Sequence, residues 1–173
     1  MTHALTVLAI AAVYYLAAKL GFTMAFVAAQ VTAVWPPTGL ALAAVLLIGM
    51  RAVPGVLLGA FLANVTSHEP IATAAGIAAG NTLEALVGAS LLRAAGFRPS
   101  LERMRDVLAL GLAAVASPLV SATIGVTCLC LGGVQPWDAF TRLWGVWWFG
   151  DALGDLVMAP LLLVWIRPPR GLD

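Results

Sequence analysis

Charge is what this sequence has least of. Lysine and arginine number nine and aspartate and glutamate eight, together 10% of 173 residues. A soluble domain carries roughly 25%. So few charges cannot coat a water-exposed surface, so much of the surface must face lipid. Histidine is nearly absent, and His3 and His68 do not make an axial haem pair. The two cysteines, Cys128 and Cys130, lack the spacing and histidine partners of a zinc site, and helical geometry sends them to different faces. They are read as core residues. No extended basic patch points to nucleic acid, and no serine or threonine has a nearby base in sequence, so a nucleophilic enzyme has no support. The first apolar segment lacks the basic start of a signal peptide and is read as a retained helix.

What is present is hydrophobic sequence, 62% of the chain, broken where proline, glycine and charge cluster. The breaks predict an all-α integral membrane protein, a single domain of about six transmembrane helices. The spans are placed at 4–20, 36–50, 53–67, 71–93, 106–131 and 139–166. The second and third are short: about 15 residues reach roughly 22 Å of a ~30 Å hydrocarbon core. The stretch before them, Gly21 to Val34, is too apolar for a solvated loop. It is expected to be a short tilted helix or a re-entrant segment, leaving Trp35-Pro36-Pro37 below the outer surface. A tilted ordinary helix with a displaced boundary is the alternative. Irregular backbone at that depth must be buried in protein or line a wet cavity, and such segments mark binding sites in transport proteins.

Arginine placement sets the expected orientation. With an inner N-terminus, Arg51, Arg93, Arg98, Arg103, Arg105, Arg167 and Arg170 all fall on one side, and only Lys19 and Arg142 on the other. Both termini are therefore expected on the cytoplasmic side. The charged segment Arg98 to Asp106 reads as an anchor at anionic headgroups, and Arg142 as a surface partner of Asp138. Glycine and alanine recur at four-residue spacing at Gly55/Gly59/Ala63, Gly76/Gly80 and Gly150/Gly154, the pattern of close helix packing in lipid.

The polar residues inside the spans carry the functional expectation. Asn81 and Glu84 are spaced i, i+3 on the fourth span, and Asp151 and Asp155 i, i+4 on the sixth, so each pair shares a helical face. At ~1.5 Å per residue all four fall about 10–20 Å below the outer end. Asn64 lies higher. A charged carboxylate near the midplane costs about 2.5–3.5 kcal/mol on insertion scales. It must be protonated, paired or hydrated, and Lys19 is the only deep cation available to three acids. The cluster is either a candidate site for a small ligand, ion or proton, or an interhelical tie between protonated carboxyls and amides.

Five stretches extend this reading: Trp35-Pro36-Pro37-Thr38-Gly39, Leu58-Gly59-Ala60-Phe61-Leu62-Ala63-Asn64, Gly80-Asn81-Thr82-Leu83-Glu84-Ala85, Arg105-Asp106-Val107, and Trp147-Trp148-Phe149-Gly150-Asp151-Ala152-Leu153-Gly154 with Ala159-Pro160-Leu161-Leu162. In this order they resemble the first type of bacterial membrane-associated sensor (MASE) domain. The resemblance implies an input module of signal transduction, normally fused to a histidine kinase or a cyclic-di-GMP enzyme. Asp155 stands where the family pattern is apolar, and the chain ends at Asp173 without an output domain, so it is expected to be a stand-alone relative or an excised piece. The expectation is a ligand-binding sensor needing no cofactor, with Trp35, Asn64, Asn81, Glu84, Asp151 and Asp155 at its site. A homodimer is compatible with it. The rival expectation is the substrate-capturing subunit of a vitamin-type transporter.

Overall fold

The computed structural model describes residues 2–23, 25–28, 31–32 and 34–166, the first two inner stretches of these as backbone only. Seven helices carry the structure: α1 His3–Phe22, α2 Pro36–Ile48, α3 Val53–Val65, α4 Ile71–Ala94, α5 Met104–Ala116, α6 Pro118–Leu131 and α7 Phe140–Ile166. Five helical stretches, including 36–65 and 104–131, are long and apolar enough to cross a membrane by length and composition.

One of those stretches doubles back. Gly49 adopts φ 74°, where a side chain would be strained, and ends α2. A 3-10 turn, Gly49–Ala52, follows, and Pro54 sits in the first turn of α3, where its missing N–H costs nothing. Both arms then lie along α1 in opposite directions. Trp35 packs on Gly21, and α2 descends to Ile48 in a groove shared with Ala9. Gly55 packs on Val7 and Ile10, Gly59 on Tyr14, and the Thr66 carbonyl receives the Lys19 ammonium at 3.3 Å. The opposite case is α5 and α6. Pro118 removes one backbone hydrogen bond, yet Ser117 keeps helical dihedrals and the two run on as a single pass beside α4. Six helical passes result, with the short second and third spans expected from the sequence.

The passes pack in two rows. Helices α1, α2 and α7 form one, α3, α4 and α5–α6 the other, with α1 against α3, α2 against α4 and α6 against α7. The small-residue rows lie at these crossings: Gly55 and Gly59 meet α1, Gly76 and Gly80 meet α6 at Cys128 and Ile124, and Gly154 meets α2. The tightest is α2 on α7. A Cβ on Gly39 would press on the Gly154 carbonyl and stand 2.7 Å from the Ala159 nitrogen, so neither glycine tolerates a side chain without separating the helices.

In the apolar stretch before Trp35, Ala25–Ala28 and Val31–Thr32 pair as an antiparallel two-stranded ladder rather than a tilted helix, and contact α7 and α1. The chain then enters the bundle where the Trp35 N–H donates to the Gly150 carbonyl at 2.9 Å. The ladder satisfies part of the backbone of these strands, which is what a segment too apolar for solvent requires.

The two ends differ in charge. Arg51, Arg93, Arg98, Arg103 and Arg105 gather at the end where α1 begins and α7 finishes, and Lys19 and Arg142 lie at the other. Arg167 and Arg170 fall outside the described residues. The 95–106 link is not a loose amphipathic strip. Asp106 is buried, the Arg103 guanidinium donates to it through two nitrogens at 2.6 and 2.7 Å, and the Arg98 N–H adds a bond at 3.0 Å. That pairing holds the Arg103 guanidinium above its ordinary value. Arg103 and Arg105 also bond the Gly96 and Ala95 carbonyls, closing the end of α4. The expected Asp138–Arg142 pair does not form, because Trp137–Ala139 is a separate 3-10 turn ahead of α7 and breaks the helical spacing.

A buried three-carboxyl cluster as candidate functional site

The middle of the bundle, where α1, α2, α4, α5–α6 and α7 converge, is polar. The i, i+4 spacing of Asp151 and Asp155 turns both carboxyls inward from α7, and α4 presents Glu84 and Asn81 opposite. Glu84, Asp151 and Asp155 are each only 1% exposed and Asn81 5%. Glu84 lies within electrostatic reach of both aspartates. The helical periodicity read from sequence therefore brings these four residues together at one depth.

Their hydrogen bonding is uneven. Asp151 is well supplied: Thr38 Oγ1 of α2 donates to Oδ1 at 3.0 Å, and Ser121 Oγ of α6 to Oδ2 at 2.7 Å. Asp155 receives a long bond from Ser117 Oγ at 3.4 Å on Oδ2, while its Oδ1 has no partner. Ser117 also back-bonds to the Ala113 carbonyl at 2.7 Å, so its single proton is contested. Both oxygens of Glu84 are unpartnered: Ser121 and Asp151 face it, but neither makes a bond of good geometry. Asn81 Nδ2 donates to the Tyr14 hydroxyl at 3.1 Å and leaves its Oδ1 free. Trp147 Nε1, beside Asp151, is an unspent donor.

No lysine, arginine or histidine among the described residues pairs with any of these acids. Lys19, the cation that sequence made available, is held at the end of the bundle by the Thr66 carbonyl and, at 3.1 Å, by Ser67 Oγ, with Tyr15 and Phe22 rings beneath it. Arg93 is spent on the Val45 carbonyl at 2.7 Å. Native proteins leave few buried polar groups unpaired, and each such group asks for a reason.

The other two expected site residues fall differently. Trp35 is at the edge of the cluster: its ring lies over Gly21 and tilts against Phe22, and its carbonyl packs on Gly154. Asn64 stands apart. Its Nδ2 donates to the Ala60 carbonyl of its own helix at 2.8 Å, and its carbonyl accepts from the Ser67 and Glu69 N–H groups to shape the turn after α3. Sequence reasoning passed over Tyr14, Thr38, Ser117, Ser121 and Trp147. A signal existed for the serines, since Ser117 and Ser121 repeat at i, i+4 in an otherwise apolar helix. Thr38 stands in the Pro-Pro-Thr-Gly turn, where it reads as a helix-start residue.

The arrangement can exchange protons or hold a cationic or donor-rich species. Its atoms without any hydrogen bond are four side-chain oxygens and one indole nitrogen. A family model described as MASE1 matches residues 6–171, nearly the whole chain. No curated protein and no solved structure matches.

Proposed function

The chain belongs to the MASE1 family of membrane sensor domains, and from that premise we propose that it is a sensory module that binds a small ligand, ion or proton at Glu84, Asp151, Asp155 and Asn81 and relays occupancy to a cytoplasmic output partner. The single observation that carries this reading is the set of unpartnered carboxyl oxygens in the middle of the bundle, on Glu84 and Asp155, with no cation beside them. A purely structural tie would spend those oxygens on donors. Here the hydroxyls that could satisfy them go to Asp151 and to backbone carbonyls.

The relay follows from where the acids sit. Asp151 and Asp155 are on α7, whose far end, at Ile166, lies at the arginine-rich end of the bundle. The arginine excess supports a cytoplasmic position for that end in a bacterial inner membrane. Asp155 adjoins Gly154, which is clamped on α2, and Pro160 lies one turn further on. Changing the charge or occupancy beside Asp155 therefore acts on the helix that leads out of the membrane. A ligand shifts such a helix only as far as its affinity differs between two packings. No chemical step is required of the site, and the reading is of a binding module rather than an enzyme.

The test is a chimera in which α7 continues into a histidine kinase or a diguanylate cyclase, with product formation measured across external pH and cation composition. Output from the parent chimera should respond to one of these variables, and Glu84→Gln should flatten the response. A response unchanged in Glu84→Gln and Asp155→Asn alike would overturn the assignment. Energised uptake of a labelled solute without any change in output would favour transport instead.

A further inference from the structure

The donor and acceptor inventory of the cluster says more about its occupant. We propose that the site takes a small cation that donates hydrogen bonds, an ammonium or primary-amine head, held chiefly by Glu84 and Asn81 of α4 and Asp155 of α7, with Asp151, whose oxygens already accept from two hydroxyls, the least available of the site's acids. This rests on the sensory reading above and specifies its ligand.

Four acceptor atoms are buried without partners: Glu84 Oε1 and Oε2, Asp155 Oδ1 and Asn81 Oδ1. The one buried donor atom in the cluster with no bond at all is Trp147 Nε1, beside Asp151, which already accepts from two hydroxyls. The groups facing the cluster are Tyr14 from α1, Thr38 from α2, Asn81 and Glu84 from α4, Ser117 and Ser121 from α5–α6, and Trp147, Asp151 and Asp155 from α7. The ionisable ones among them are three carboxyls and a phenol, so the charge the site offers is of one sign. An anion is unsuited to it, whereas a cation compensates any carboxylate it meets in a medium where an unpaired charge is costly.

The number of acceptors separates an amine from a metal ion. Among the described residues no group of three His, Cys, Asp or Glu side chains is placed to hold a metal. A hard metal ion takes about six or more oxygens, whereas an ammonium group needs one acceptor for each N–H. Asn81 strengthens the point. Its amide nitrogen is fixed on Tyr14, so its free oxygen faces the cluster as an acceptor.

The test uses the full chain purified into lipid nanodiscs, with thermal unfolding followed while ammonium, methylammonium, tetramethylammonium or sodium chloride is varied at constant pH and ionic strength. A ligand that binds the folded state raises the Tm in a saturable way. Methylammonium and ammonium should do so, and tetramethylammonium and sodium, cations with no N–H, should not. Each of Glu84→Gln and Asp155→Asn should weaken the methylammonium midpoint roughly ten- to hundredfold, the effect of losing a hydrogen bond to a charged partner. Should Glu84→Gln fail to fold, Asp155→Asn and Glu84→Asp supply the same reading. Ser90→Ala, on an exposed face, should leave the midpoint unchanged. Equal shifts with tetramethylammonium or sodium would overturn the proposal, as would full retention in Glu84→Gln and Asp155→Asn. So would a Tm that follows pH alone, with no amine response, because the occupant would then be the proton. In that last case a responsive chimera would leave the sensory reading standing. Amine binding with an unresponsive chimera would do the reverse.

Discussion

Two buried acids, Asp106 and Glu84, are equally hidden from solvent, each 1% exposed, and are treated in opposite ways by their surroundings. Asp106 sits at the arginine-rich end and is fully supplied, with two guanidinium bonds from Arg103 and a backbone bond from Arg98. Glu84 sits in the middle of the bundle with neither oxygen in a bond of good geometry and two other carboxyls as neighbours. Burial alone therefore does not tell the two apart, and the donor count does. On the proposed reading, an acid that folding leaves without donors is available to a ligand.

That contrast can be broken from the structural side first. Arg103→Ala removes both guanidinium bonds of Asp106 and the bond that closes the end of α4, so the largest fall in Tm is expected here, with no change in ligand selectivity. A smaller loss is expected at Asp151, which resembles Asp106 in being satisfied. Ser121→Ala or Thr38→Val should each cost roughly 1–3 kcal/mol in denaturant or thermal unfolding, because each strands one carboxyl oxygen. Glu84→Gln should cost the fold almost nothing: stability within about 1 kcal/mol of the parent, or above it, since no bond of good geometry is lost and an acid beside two others is removed. Least of all, Lys19→Met should change stability by about 0.5 kcal/mol, because its bonds go to a carbonyl and a hydroxyl at the open end of the bundle.

Much of this was legible before the structure. Proline, glycine and charge breaks gave the passes, including the short second and third, because in lipid a helix must satisfy its own backbone and so ends where those residues cluster. The i, i+3 and i, i+4 spacings gave the inward faces of α4 and α7. What sequence could not supply was whatever depends on contacts across the bundle. The paired strands Ala25–Ala28 and Val31–Thr32 have the same apolar composition as a helix, and composition does not separate the two. Asn64 carries the same polar signal as Asn81, yet α3 turns it to its own backbone while α4 turns Asn81 towards Tyr14. Thr38 and Ser121 approach Asp151 from sequence distances of 113 and 30 residues, which no local pattern encodes. Asp106 read as the end of a charged anchor segment, and only the fold of 95–106 shows it buried under Arg103.

The most direct test of the difference between the two acids is to measure Tm and stimulus-dependent output together in the Glu84→Gln chimera. A Tm held or raised, with output no longer responding, is the predicted result. A lowered Tm with the response intact would show that Glu84 ties helices together as Asp106 does, and would contradict the functional assignment of the cluster.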